Sequence, residues 1–195
     1  MSKARSRSGL LVVISAPSGG GKTTILGRLL ELGLGECRYS VSVTTRKRRP
    51  GEADGQAYHF VSLADFERMR ATGEFVEWAE VHGNYYATPR SHITRWLEQG
   101  YLVLSDLDVK GGLAVKQHFG DQALLIFVSP PSLESLVDRL SARGTETKAE
   151  IEKRLSRYPP EMEMAKKYDY HCVNDDLEQT ITRIIEIINQ HYSLS

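Results

Sequence analysis

Residues 10–24 read LLVVISAPSGGGKTT, an apolar run, a glycine-rich turn and a Lys-Thr pair, and this order decides the fold. Leu10-Leu11-Val12-Val13-Ile14 is a short continuous apolar run ending at a turn signal, the pattern of a strand buried on both faces. Gly19, Gly20 and Gly21 let the backbone turn tightly with its N–H groups pointing inward, an anion nest at the start of a helix. Lys22 is placed to reach the outer phosphates of a nucleoside triphosphate, and the Thr23 hydroxyl to join a Mg²⁺ shell. The stretch fits the phosphate-loop pattern G-x-x-x-x-G-K-[ST] except at its first position, where Ala16 replaces glycine and fits if its φ is negative. A merely flexible turn would explain the glycines, but not the preceding strand, the Lys-Thr pair and the following helix together. The candidate triphosphate site is therefore Ala16, Pro17, Ser18, Gly19, Gly20, Gly21, Lys22, Thr23 and Thr24.

Outward from this loop, Ile25, Leu26, Leu29 and Leu30 fall on one side at helical spacing until Gly33 and Gly35 stop the pattern. The apolar runs at 101–104, ahead of Ser105-Asp106, and at 123–128, ahead of Pro130-Pro131, read as buried strands. Each leads into a helical segment, at 109–119 and 132–142. Such alternation predicts a parallel sheet with helices on both faces. A last helix begins near Asp176 behind the polar cap Asn174-Asp175-Asp176 and carries a stripe of Leu177, Ile181, Ile184, Ile185, Ile188 and Tyr192. Residues 38–90 read differently. Short strand patterns with interleaved polar residues at 39–43, 58–61 and 75–81, and one helix at 63–71, predict a small inserted β-rich subdomain that could hold a second substrate over the first.

The 195 residues suit one core with or without such an insertion. Lysine plus arginine equals aspartate plus glutamate at 25 each, so no global field draws in nucleic acid or a membrane surface, and anion binding must come from local placement. Cys37 and Cys172 are far apart and lack metal-ligand spacing, as suits a reduced pair of small core residues. Residues 1–8 alternate serine with Lys3, Arg5 and Arg7, have no apolar segment of the signal-peptide type, and read as a frayed basic tail. No segment offers the ~18 to 20 uninterrupted apolar residues of a membrane span. A cytoplasmic protein without internal repeats is expected.

The densest positive charge is Thr44-Thr45-Arg46-Lys47-Arg48-Arg49-Pro50-Gly51-Glu52, which alone would read as a solvated loop or a weak nucleic-acid patch. Beside a phosphate loop it suits a second phosphate-bearing substrate, because guanidinium forks bind phosphate oxygens two at a time. The order and spacing of SAPSGGGKTT (15–24), VSVTTRKRRPGEADGQAYHFV (41–61), EFVEWAEVHGNYYATPR (74–90), SDLDVKGG (105–112), RGTET (143–147) and VNDDL (173–177) resemble the guanylate kinases, which phosphorylate GMP, over about residues 9–192.

The resemblance implies an α/β fold with a three-layer P-loop NTPase core and parallel sheet at about 9–37, 91–130 and 169–195. It implies a GMP-binding subdomain at about 38–90 and a helical lid at about 131–168. It places the GMP phosphate on Arg46, Arg49, Tyr58 and Tyr86, where two planar forks and two phenol donors suit a dianion. It places guanine on Ser42, Glu77, Thr88 and Asp108. Glu77 is the discriminating choice, because guanine presents N1–H and N2 amino donors to an acceptor-only carboxylate. On its own, Glu77 would read as a strand glutamate in a salt bridge, but the adjacent Gly83-Asn84-Tyr85-Tyr86 turn, in family order, favours the guanine contact.

Asp106 closes a buried strand at the position of a magnesium-orienting acid, working through water, and could equally cap the next helix. Lys110 stands where the family usually carries glutamine. Arg139 and Arg143, four apart on one helical face, and Arg154 beyond them would alone be exposed charges. The resemblance makes them lid arginines that swing onto the ATP phosphates, so that Lys22, Arg46, Arg139, Arg143 and Arg154 form the catalytic set. Tyr158-Pro159-Pro160 falls where relatives are helical, and adjacent prolines should break or kink that helix. Asn174 opens the turn that resembles the family's adenine contact.

The implied reaction is a magnesium-dependent, direct in-line transfer from ATP to GMP or dGMP, with no covalent intermediate and no general base. ATP and GMP are the expected partners, without nucleic acid or membrane, and a homo-oligomer stays open. A catalytically inactive relative used for binding is the rival reading, against which Gly21-Lys22-Thr23 and the lid arginines argue. A GTPase reading of Asp108-Val109-Lys110-Gly111 lacks an N-K-x-D guanine reader, and a kinase for another nucleoside monophosphate would require that Glu77 not face the base.

Overall fold

A strand that is apolar on both faces needs a layer on each side of it, and β1 (Leu10–Ser15) is buried along its whole length. In the computed structural model, which describes residues 8–56, 58–81, 83–142 and 148–192, β1 is the middle of a five-stranded sheet. The other strands are β2 (Cys37–Tyr39), β7 (Leu102–Asp106), β8 (Ala123–Ser129) and β9 (Tyr170–Val173), in the order β2-β7-β1-β8-β9 and all parallel.

Alternating side chains send Val12, Ile14, Leu104 and Ile126 to one face, where α1 (Lys22–Glu31) and α8 (Leu177–His191) cover them. Leu11, Val13, Val103 and Phe127 face the other way, against α3 (Arg90–Glu98), α4 (Val109–Phe119) and the segment around Ala165 and Tyr168. Fully burying a side chain such as Phe127 or Leu125 contributes about 1.5–3 kcal/mol, so this double-sided core is the main source of stability. The expected three layers are therefore present. In register, Ile14 pairs with Asp106 and Ser15 with Phe127, so the glycine-rich loop and Asp106 leave the sheet at the same edge.

A second sheet, β4-β3-β6-β5, is built from β3 (Val43–Thr44), β4 (His59–Phe60), β5 (Phe75–Val81) and β6 (Asn84–Pro89). Helix α2 (Leu63–Ala71) packs on it through Phe66, whose ring lies 4.8 Å from Phe75 and 5.1 Å from Tyr85 between centroids. Ser62 caps α2 by accepting from the Asp65 N–H.

Several elements differ from the sequence reading. The pattern at 39–43 is two strands: Tyr39 ends β2 in the core sheet, opposite Leu104, and Val43 begins β3 in the second sheet. Gly83-Asn84-Tyr85-Tyr86, read as a turn, runs into β6, since the Tyr85–Ala87 backbone pairs with β3 or β5. Leu30 is 38% exposed and lies off the buried stripe of Ile25, Leu26 and Leu29, while Ile187 joins Ile184 and Ile188 in the core from α8. The prolines do break the helix. α6 (Lys148–Leu155) ends before them and α7 (Tyr158–Ala165) restarts with Pro159 and Pro160 in its first turn, where a missing N–H costs nothing.

Cys37 and Cys172 are both free, and burial pushes the Cys37 thiol up to about 11. Among the described residues no helix is long and apolar enough to cross a membrane. The expected tail at 1–8, apart from Ser8, lies outside the described residues, as does Arg143.

Candidate active site

Gly19 and Gly21 adopt φ of 90° and 93°, a conformation that only glycine takes without strain, and the Gly20 N–H donates to Pro17 O at 2.8 Å. Gly21 is the N-cap of α1 and offers no side-chain cap, and the first turn holds no acid. The helix therefore starts with N–H donors directed at a loop, the setting that favours an anion. Ala16 fits because its methyl group packs against the core, close to the space a side chain at Gly20 would need. Leu136 and Leu140 of α5 (Leu133–Ala142) close over Gly19.

The loop opens onto a cleft of about 400 Å³ between the two sheets. Its walls bring together Lys22, Thr23, Ser42, Tyr58, Glu77, Tyr86, Asp106 and Asp108 from the residues singled out by sequence, and add Tyr39 and Gln56. Lys22 Nζ lies 3.4 Å from Asp106 Oδ2, both groups about one-quarter exposed. Asp106 Oδ1 accepts the Tyr39 hydroxyl at 2.5 Å. Burial, reinforced by the Asp106 charge, raises the Tyr39 phenol far above its ordinary value and keeps it a donor. Asp106 does not cap α4; that role falls to Asp108, whose Oδ1 accepts the Gly111 N–H at 2.7 Å. One hydroxyl from Thr23 and one carboxylate from Asp106 suit a hard cation that keeps several waters and takes further oxygens from phosphates. Among the described residues no group of three or more His, Cys, Asp and Glu side chains could hold a metal by itself.

Across the cleft, Glu77 on β5 accepts the Thr88 hydroxyl of β6 at 2.6 Å, the two residues being paired in register. Burial raises the Glu77 carboxyl; the Thr88 hydrogen bond opposes this and the nearby Asp108 charge adds to it. Gly111 borders this wall: a side chain there would begin 3.4 Å from the Glu77 carboxyl carbon.

Arg46 is gripped by Glu52 through Nη1 at 3.1 Å and Nη2 at 2.7 Å, and its guanidinium sits 5.4 Å over the Tyr58 ring. Glu52 also accepts the Arg49 N–H at 2.7 Å, and Asp54 accepts the Phe60 N–H at 2.8 Å, so this basic run is an ordered turn. The Arg46 hydrogen bond, followed by that of the Arg49 N–H, holds the Glu52 carboxyl below its usual range. Tyr58 and Tyr86 pack edge to face 5.7 Å apart. Arg49 itself is exposed and is not among the cleft walls.

On the loop's far side, Asn174 is buried. Its side-chain amide donates to Gly20 O at 3.1 Å, and its backbone carbonyl accepts from Arg139 Nη2 at 2.7 Å. A side chain on Gly21 would begin 2.4 Å from that amide. Asn174 and Arg139 thus brace the loop from behind. Arg154 of α6 donates to the Ser18 hydroxyl, which brings the helices after 131 onto the loop. Lys110 is not among the walls of this cleft and lines an adjoining pocket with Arg157 and Glu161. Sequence reasoning missed Tyr39, Glu52 and Gln56. Only Glu52 carried a usable signal, an acid three residues beyond a run of four cations.

A family model described as guanylate kinase matches residues 8–191. A guanylate kinase of Symbiobacterium thermophilum is 47% identical over 180 residues, covering 92% of this chain and 84% of that protein. One of Chlorobaculum tepidum is 45% identical over 186 residues, covering 93% and 95%. The crystal structure of a guanylate kinase from Anaplasma phagocytophilum superposes with a TM-score of 0.76 at 32% identity, covering 95% of this chain and 87% of that one.

Proposed function

The chain belongs to the guanylate kinase family, and from that premise we propose that it transfers the γ-phosphoryl group of ATP to GMP, giving ADP and GDP. One observation carries the reading: Lys22 and Thr23 of the phosphate loop and the Glu77, Tyr58 and Tyr86 wall share a single cleft. A triphosphate and a monophosphate acceptor bound there would meet end to end. An oxygen of the GMP phosphate attacks the γ-phosphorus in line, the bond from that phosphorus to the β-bridging oxygen breaks, and ADP leaves. The acceptor oxygen is already an anion, so no general base is required, and catalysis rests on alignment and charge neutralisation.

The backbone N–H groups from Ser18 to Thr24 cradle the ATP phosphates, and Lys22 reaches the outer ones. Thr23 and, through water, Asp106 would hold magnesium, which when bound neutralises phosphate oxygens. Arg46 exchanges its Glu52 partner for the GMP phosphate, assisted by Tyr58, Tyr86 and Arg49. Glu77 accepts from guanine N1–H and N2, and Ser42, Thr88 and Asp108 complete the base pocket. Arg139, Arg143 and Arg154 neutralise charge in transit from the lid at about 131–168, which closes with the GMP-binding unit at about 38–90 to exclude water. Asn174 contributes by holding the loop in shape as well as by bordering the nucleotide. With no residue assigned to the ribose 2′-hydroxyl, dGMP is an acceptor too. A cytoplasmic location goes with this reading.

The inactive-module reading is not favoured, since Lys22, Arg139 and Arg154 are present and surround the loop. The test is ADP release from ATP and Mg²⁺ with GMP, dGMP, AMP, CMP or UMP as acceptor. Turnover with the guanine nucleotides alone is expected; turnover with AMP but not GMP would overturn the acceptor assignment, and GMP binding without turnover would restore the inactive module.

A further inference from the structure

We propose that Tyr39 is a positioning residue for phosphoryl transfer, holding the Asp106 carboxylate so that it serves the nucleotide's cation rather than neutralising Lys22. The proposal rests on the kinase reading above. Residue 106 follows Leu104 by two positions on β7, so their side chains share a sheet face, and Tyr39 lies opposite Leu104 on the neighbouring parallel strand. The phenol ring therefore runs alongside β7 towards its carboxyl end, and its hydroxyl meets Asp106 Oδ1 at 2.5 Å. Lys22 approaches the other oxygen, Oδ2, at 3.4 Å from the first turn of α1. The carboxylate is thus held between a neutral donor and a cation, one oxygen to each.

This division has a chemical consequence. A hydrogen bond from a phenol spreads the carboxylate's charge and fixes its plane, which weakens its pull on the lysine. Without the hydroxyl, Asp106 is free to turn and present both oxygens to Lys22, drawing the ammonium away from the phosphates and leaving no oriented acid for the cation's water shell. Tyr39 is also where the chain leaves the core. The next residue, Ser40, donates its N–H to Leu104 O at 2.8 Å, and Ser42 already lines the cleft. The donor that sets Asp106 is therefore fixed to the core sheet, ahead of the second-sheet unit, and the orientation of Asp106 does not depend on that unit's position.

Tyr39→Phe tests this, because the ring that walls both the cleft and a smaller cavity beside His59 and Trp96 stays in place. Calorimetric binding of a non-hydrolysable ATP analogue is measured with and without Mg²⁺, together with kcat and KM for GMP as Mg²⁺ is varied. Loss of a hydrogen bond to a charged group is expected to lower kcat roughly 10- to 100-fold. The gain in analogue affinity on adding Mg²⁺ should shrink about tenfold, while KM for GMP stays within about twofold of wild type. In an Asp106→Asn background the same substitution should change the Mg²⁺-linked binding by no more than about twofold. Unchanged Mg²⁺ linkage with a lowered Tm would reduce Tyr39 to a structural residue and overturn the proposal, as would additive effects of the two substitutions. Failure of the kinase reading would show separately, as wild-type protein that does not turn over GMP, while the binding measurement still decides the role of Tyr39.

Discussion

Replacing Glu77 by glutamine removes one charge and changes almost no volume, which isolates the group proposed to read the base. As a carboxylate, Glu77 offers only acceptors, with Thr88 already donating to Oε1 at 2.6 Å. Guanine adds two donors, and hydrogen bonds to a charged acceptor contribute about 1.5–3 kcal/mol each. Glutamine keeps one neutral hydrogen bond of about 0.5–1.5 kcal/mol and turns an amide donor towards a guanine donor, leaving both groups unsatisfied. The net loss is about 2–5 kcal/mol, a rise in the GMP dissociation constant of roughly 30- to 5,000-fold. Adenine, with an N6 donor beside an N1 acceptor, matches the amide, so binding of AMP should improve.

The pH dependence follows from the raised Glu77 carboxyl, whose first cause is burial. A carboxyl raised in the folded state favours its protonated form there. Its contribution to stability is present at acid pH and is lost as pH rises through the raised value. The glutamine variant lacks that loss and should be at least as stable as wild type at pH 7 without ligand. GMP binds the ionised carboxylate, so its affinity should fall on the acid side at a pH above the ordinary glutamate value of about 4.3, with proton release on binding. Titration calorimetry with GMP and AMP across pH, for wild type and Glu77→Gln, makes the measurement. A GMP affinity within about threefold of wild type, or wild-type binding that is flat with pH, would refute the reasoning.

Lys22→Ala should abolish phosphoryl transfer while leaving GMP affinity largely intact, since the acceptor is assigned to the opposite wall of the cleft; an equal collapse of GMP binding would disprove separate sites. Gly112→Ala should destabilise the protein by about 1–3 kcal/mol. A side chain there would begin 2.0 Å from the Tyr168 hydroxyl, which is tied to Ser15 Oγ at 2.8 Å and so cannot give way freely. That strain outweighs the ~1 kcal/mol that alanine gains over glycine in a helix. Urea unfolding reads the loss, and Tyr168→Phe in the same chain should recover part of it.

What the sequence made legible is mostly what local physics determines. The phosphate loop follows from glycines that alone tolerate φ near 90°, and α8 begins at an acid of its polar cap, Asp176, whereas α4 is capped by Asp108 and not by Asp106. The buried strands followed from unbroken apolar runs. Tyr39 was misassigned because its neighbours alternate polar and apolar as a small-sheet strand would, and only its pairing with β7 puts it in the core. Asn84-Tyr85-Tyr86 looked like a turn because Gly83 precedes it, yet cross-strand partners on both sides make it strand. The grip of Asn174 on Gly20 is a tertiary contact spanning 154 positions, and no local pattern encodes it.

The central claim is that one cleft aligns two nucleotides for direct transfer, and it is tested most directly by following the label of γ-labelled ATP in the presence of GMP and Mg²⁺. The account predicts that the label appears as the terminal phosphate of GDP, in step with ADP and with little free phosphate. Label released as inorganic phosphate, or no release while GMP is bound, would contradict it.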